Sequence, residues 1–107
     1  MSTAVVATSP EVRKMVERVF ERSDSVLWTD ALPGIVLHNL ETQRYLELGE
    51  LGYRAWALLD GARPVGEVIA RLTSAVTDNE PAVVAAEVWE IVVTLAENGF
   101  VMERRDG

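Results

Sequence analysis

The chain has 107 residues and no cysteine, and 49% of its residues are hydrophobic and 25% charged, as in a single globular domain without disulfides or thiolate metal sites. Its formal net charge of −7 disfavours nucleic acid as a partner, because an acidic surface repels a phosphate backbone. No apolar run reaches the roughly eighteen residues of a membrane span, and the first residues lack a signal-peptide pattern. We therefore expect a cytoplasmic protein without a membrane partner.

The N-terminal segment predicts an amphipathic helix. Pro10 is a typical first helical residue, and the apolar residues after it form one stripe to about Arg22. Four basic and four acidic residues balance each other in residues 1–24, so the charge deficit belongs to the remainder. We expect residues 1–24 to be an extension and residues 25–107 to be the main domain.

Three short runs of β-favouring residues follow, at 25–29, 34–40 and 44–48. Pro33 and Gly34 separate the first two runs, and a turn around Glu41 and Thr42 separates the last two. Two tight connections predict an antiparallel meander of three strands.

Three helices are predicted after the meander. The first covers residues 50–59, Pro64 opens the second, and Pro81 opens the third, which reaches Asn98. Gly99 suits the left-handed position after a helix, with Phe100 folding back, and a short strand at 100–103 completes the pattern. The predicted fold is α+β: a small winged-helix-like domain with a three-stranded antiparallel sheet, a three-helix bundle and an extra N-terminal helix.

Residues 25–102 resemble the PqqD-like proteins, the small family that includes the peptide chaperone of pyrroloquinoline quinone biosynthesis and the RiPP recognition elements. The resemblance lies in "GIVLHNLETQRYLELGELGYRAWALLDG", "PVGEVIARL" and "VVAAEVWEIVVTLAENGFV". In that family a strand ends in a Leu-Asn-Glu-x-Gly-x-x-x-Trp signature and a helix begins at once. Residues 48–56 match this signature, with Gly49 in place of the usual Asn.

The resemblance implies a non-catalytic protein that binds the leader region of a ribosomally synthesised precursor peptide. In the family the leader adds as a strand to the edge of the third strand, in a groove whose other wall is the last helix. The residues on the strand side are Arg44, Tyr45, Leu46, Glu47 and Leu48. A modifying enzyme is the second implied partner, and it can be a radical SAM enzyme, a leader peptidase or a cyclase.

On the last helix, Val84, Val88, Ile91 and Leu95 form a core-facing row, and a second apolar row accompanies it. Its members predicted to contact the peptide are Ala85, Trp89, Val92 and Val93. The same row also suits packing against the N-terminal helix or a broad core face, and both interpretations stay open here. Trp28 and Trp56 are predicted to anchor the core.

The residues give little support for catalysis, a metal or a cofactor. There is no glycine-rich phosphate loop, and His38 is the only histidine, without a carboxylate at ligand spacing. Ser25 lies in "DSVL", which is similar to the modified site of acyl carrier proteins, but β-favouring residues follow it where those proteins begin a helix.

Two other functions are weighed against peptide binding. A winged-helix DNA-binding protein needs a basic recognition helix, whereas residues 80–98 contain four glutamates and no Lys or Arg. A structural subunit that docks on a partner, or forms a homodimer, through the N-terminal helix remains an alternative.

Overall fold

The computed structural model describes residues 16–104. These residues form six strands and three helices: β1 (Val19–Arg22), β2 (Val26–Ala31), β3 (Gly34–Asn39), β4 (Arg44–Leu48), α1 (Glu50–Leu58), β5 (Asp60–Pro64), α2 (Val65–Ala75), α3 (Pro81–Glu97) and β6 (Val101–Glu103). The predicted meander and the three helices after it are confirmed. The strands lie in two antiparallel sheets, with the orders β2-β3-β4 and β5-β1-β6.

The predicted N-terminal helix is wrong in its last residues. Val19–Arg22 is strand β1, which pairs with β5 on one side and with β6 on the other. The apolar stripe predicted a helix, but pairing with distant strands determines the structure of these residues. Phe20 reaches the core from strand β1 instead. The first part of the predicted helix, residues 10–15, lies outside the described residues, and so does a homodimer contact through it. The domain boundary at residue 24 stays a prediction.

Helix α1 packs on β3 and β4, and α2 and α3 pack against α1 and against each other. β3 alternates between buried and half-buried residues, with Ile35 and Leu37 fully buried on the face toward the helices. In the predicted core-facing row of α3, Val84, Val88 and Leu95 are fully enclosed, whereas Ile91 is only half-buried against the core. Trp56 of α1 is 2% exposed, as predicted.

Trp28, in contrast, is not a core anchor. Its side chain is 52% exposed because β2 is an outer strand, and its ring meets Trp56 edge-on with centroids 5.8 Å apart. The prediction treated both tryptophans alike, since the local sequence does not show which strand lies at the edge.

Two glycines help to fix the positions of β4 and α3. At Gly34, a Cβ would collide with the Leu48 carbonyl oxygen, so glycine is required for β3 to pass the end of β4 this closely. At the end of α3, Gly99 has φ +76° and the Phe100 N–H donates to the Leu95 carbonyl at 2.9 Å. The predicted left-handed stop of α3 is thereby confirmed.

Candidate functional site

Strand β4 lies at an edge of its sheet. β3 pairs with β2 on one side and β4 on the other, and no described strand pairs with the far side of β4. The backbone N–H and C=O groups on that side are therefore available to another chain.

The hydrogen bonds between β2 and β3 identify the open backbone groups of β4, because they fix which residues of β3 remain to bond to β4. The Leu40 N–H donates to the Ser25 carbonyl at 2.8 Å, just beyond the last pair of this ladder. Peptide groups of successive residues point to opposite sides of a strand, so His38 also bonds to β2 while Leu37 bonds to β4.

The same alternation along β4 shows which of its residues direct their backbone N–H and C=O groups to the unpaired side. Leu46 is the register partner of Leu37, so its N–H and C=O are used within the sheet. Tyr45 and Glu47, on either side of it, direct their N–H and C=O groups to the open edge.

The side chains of β4 divide between the two faces of the sheet. Leu46 and Leu48 are half-buried and pack against the core on the helix side. Tyr45 is on the outer face, 68% exposed, and its ring stacks on His38 with centroids 4.0 Å apart and 6° between the planes. The outer face thus has an aromatic surface, and the inner face has an apolar one.

One face of α3 borders this edge. Arg44 Nη1 donates to Asn98 Oδ1 at 3.0 Å, which joins the start of β4 to the end of α3. Beyond the other end of β4, Leu51 of α1 and Glu87 of α3 line one cavity. Ile91 lies four residues after Glu87 and seven before Asn98, so it belongs to the same side of the helix.

The α3 residues predicted for the groove lie elsewhere on the helix. Trp89 is nine residues before Asn98, which places it about 180° around the helix axis, and Ala85 and Val93 are about 140° away. Val92 is fully buried, with 0% exposure, and Trp89 is half-buried against the core. The contacts of Asn98 and Glu87 make the side that carries Glu87, Ile91 and Asn98 a second candidate for the α3 wall. Peptide contact by Ala85, Trp89, Val92 and Val93 stays a prediction.

The cavity beyond β4 has a volume of about 600 Å³. It is lined by Glu50, Leu51, Arg54, Ala75, Val76, Thr77, Asp78, Asn79, Val84 and Glu87. Glu50 is engaged by Arg54 at 2.9 Å, whereas the carboxylates of Asp78 and Glu87 add negative charge to the rim.

Asn39 holds the two walls in position, and the sequence analysis did not identify it. Its side chain is buried at 1% exposure, and its Oδ1 accepts the N–H groups of Glu41 at 2.9 Å and Thr42 at 3.3 Å in the turn before β4. Its Nδ2 donates to the Gly99 carbonyl after α3 at 2.9 Å. An Asn before a hairpin turn is a known turn signal, but its second bond, sixty residues along the chain, has no local signature.

Two ionisable groups near the helices have shifted pKa values. The Tyr53 hydroxyl donates to Asp30 Oδ1, and this hydrogen bond to a carboxylate raises the pKa of Tyr53. The Ala62 N–H donates to Asp60 and lowers the pKa of that carboxyl group, with Arg63 adding to the effect. Both groups fix secondary-structure elements rather than line the β4 edge.

Within residues 16–104, no group of three His, Cys, Asp or Glu side chains is arranged to hold a metal ion. No helix in this part of the chain is long and apolar enough to cross a membrane.

Comparisons with known proteins agree with this architecture. No curated protein matches the chain significantly. A solved structure, TbiB1 in complex with the TbiA(beta) leader peptide, matches with a TM-score of 0.66 and 22% sequence identity over 80% of this chain and 99% of that chain. At this identity the match shows a shared fold.

The family model described as Coenzyme PQQ synthesis protein D (PqqD) matches residues 34–101, from the start of β3 to the first residue of β6. This match covers more than half of the chain, and it includes the edge strand, all three helices and the Asn39 junction. The chain belongs to the PqqD family.

Proposed function

We propose that this protein binds the leader segment of a ribosomally synthesised precursor peptide and presents it to a modifying enzyme. Membership of the PqqD family supports this function, and so does the shared fold with TbiB1, which was solved with a leader peptide. The observation that carries the proposal is the open edge of β4, with the Ile91 side of α3 opposite it.

The binding mode is strand addition. An extended peptide beside β4 forms hydrogen bonds with the N–H and C=O groups of Tyr45 and Glu47. Its side chains alternate, so one set faces the α3 wall at Ile91 and the other set lies beside Tyr45 on the outer face. Backbone bonds then supply much of the affinity, and the two side-chain surfaces supply selectivity.

The cavity beyond β4 extends this site. A peptide that follows β4 past Leu48 reaches an apolar floor that includes Leu51 and Val84. The carboxylates of Asp78 and Glu87 at its rim favour a basic peptide side chain at that end.

The protein acts without chemistry of its own in this proposal. Holding the leader raises the local concentration of the attached core peptide at the enzyme, which increases the rate without a catalytic residue or a cofactor. The partner enzyme is a radical SAM enzyme, a leader peptidase or a cyclase. A chain without cysteine fits the reducing cytoplasm, which we propose as its location.

Calorimetric titration with a leader peptide tests the proposal. The ligand is the leader half of the short precursor encoded nearest to this protein, and Glu47→Pro is compared with the unmodified chain. Proline removes the outward N–H and places its ring at the edge, so affinity is expected to fall about tenfold or more. An edge strand tolerates proline where the N–H faces solvent, and circular dichroism checks that the fold is kept.

Glu47→Gln is the matched control, because it changes the side chain and keeps the backbone N–H. Its affinity is expected to stay within about twofold of the unmodified chain. A folded Glu47→Pro protein that binds as tightly as the unmodified chain contradicts strand addition at β4. A complete lack of leader binding by the unmodified chain contradicts the proposed function itself.

A further inference from the structure

The sheet has a second open edge at β2. This strand is the other outer member of the β2-β3-β4 sheet, and five of its six residues are exposed. Leu27 and Thr29 are the register partners of His38 and Val36 and bond to β3. Trp28 therefore directs its N–H and C=O groups away from the sheet, and Asp30 does the same.

This edge is more apolar than β4. The exposed fractions are 58% for Leu27, 52% for Trp28 and 78% for Leu32, which follows the strand. β4 carries two charged side chains, Arg44 and Glu47, and charges on an edge strand commonly limit unspecific pairing with other chains. The single charge of β2 is Asp30, and it points to the helix side, where Tyr53 bonds it.

Charged side chains of both signs lie close to the β2 edge. Arg54 forms an ion pair with Glu50 at 2.9 Å on the helix below. Arg22 lies over the Trp56 ring, 5.7 Å from its centroid, and donates to the Trp56 carbonyl at 3.1 Å. Arg22 and Asp30 have opposite formal charges and Arg54 pairs with Glu50, so these charges balance and the edge fits a neutral, apolar partner rather than a basic one.

We propose that this partner is a second copy of the chain, paired antiparallel through β2 across a two-fold axis at Trp28. The two Trp28 residues then exchange backbone hydrogen bonds, and Leu27 of each copy faces Thr29 of the other. Each Asp30 faces Val26 of the other copy, so the one charged residue of the strand never opposes its equivalent. The strand is thus complementary to itself.

The resulting sheet has six strands, with one β4 at each outer edge. If the proposed function holds, the dimer presents two leader sites that face opposite directions. Self-association leaves both β4 edges open. A negative result for dimerisation therefore does not contradict leader binding, and a negative result for leader binding does not contradict the dimer.

Sedimentation velocity of the full-length chain tests the dimer. A reversible monomer–dimer equilibrium is expected when protein concentration is varied about a hundredfold. Because both copies are acidic, raising the ionic strength from about 0.05 M to about 0.5 M is expected to tighten association by screening their repulsion. A monomer at every concentration overturns the proposal.

Two lysine variants locate the interface. Leu27→Lys places a charge in the paired strands and is expected to weaken self-association about tenfold or more. Leu40→Lys introduces the same charge at a residue that is 44% exposed in the turn after β3, and its effect is expected to stay within about twofold. A dimer that resists Leu27→Lys, with both variants folded by circular dichroism, assigns the contact to another surface and overturns the proposal.

Discussion

Asn39 is the buried polar residue of the described part of the chain. It is buried, and it bonds both to the turn before β4 and to the residue after α3. The two walls of the candidate site are therefore tied together by one side chain. Its burial makes each bond costly to lose, because the partner groups have limited access to water.

Asn39→Ala is expected to lower the free energy of unfolding by about 2–3 kcal/mol, since it leaves the Gly99 carbonyl and the Glu41 N–H without their partner. Urea denaturation measures the difference. Gln43→Ala removes exposed side-chain bonds in the same turn and is expected to cost less than about 0.5 kcal/mol. Equal losses in the two variants would show that Asn39 does not hold the junction.

A second pair of variants tests which side of α3 lines the site. Ile91→Ala removes apolar surface on the side of α3 that is proposed to face the leader, and it is expected to weaken leader binding about fivefold. Trp89→Ala acts on the opposite side, so it is expected to lower the free energy of unfolding while affinity stays within about twofold. Calorimetry and urea denaturation give the two quantities. The reverse pattern, with affinity lost only in Trp89→Ala, would return the groove to the side predicted from the sequence.

The sequence predicted those helices and strands whose positions are determined by local patterns. Alternation in β3 and β4, proline at the starts of α2 and α3, and Gly99 after α3 placed those elements within a few residues. It did not predict β5, and it predicted helix where β1 lies. These strands are short, and β1 joins partners that lie some forty to eighty residues further along the chain, a relation that no window of sequence contains.

The candidate site, too, was predicted from the sequence only in part. The sequence and the family resemblance indicated β4 as the edge strand, but the outward groups of Tyr45 and Glu47 depend on a register set by the turn and by β2. The rotation of α3 about its axis was also undetermined, because two apolar rows suit a core equally well. Contacts at Asn98 and Glu87 favour the Ile91 side, and the leader affinities of Ile91→Ala and Trp89→Ala test this choice.

Strand β5 gives the pH dependence of stability. The Ala62 N–H and Arg63 favour the charged form of Asp60, so its pKa is lower in the folded chain than its ordinary value of 3.8. The folded state therefore binds the proton less tightly than the unfolded state. The stabilisation is complete above the ordinary pKa and is lost as the pH falls through the lowered one.

Asp60→Asn is expected to flatten this acid dependence. Below about pH 4, the free energy of unfolding of the unmodified chain should fall more steeply with decreasing pH than that of the variant. Urea denaturation at a series of pH values compares the two slopes. Parallel slopes would show that the Ala62 turn contributes nothing to the acid response.

The two sheets have different roles in the molecule. The β5-β1-β6 sheet joins the start of the described chain to its end and to the segment between α1 and α2. The β2-β3-β4 sheet has both outer strands free among the described residues. Its charged edge at β4 is assigned to the leader and its apolar edge at β2 to a second copy, so composition distinguishes the two proposed roles.

Amide hydrogen exchange measured by NMR detects, residue by residue, whether a leader peptide pairs with the backbone of β4. The amides of Tyr45 and Glu47 are expected to exchange about tenfold or more slowly at saturating leader peptide, because they become hydrogen-bonded. The Leu46 amide, already paired with β3, is expected to be slow in both states. Saturated binding that leaves Tyr45 and Glu47 unprotected would contradict strand addition at β4.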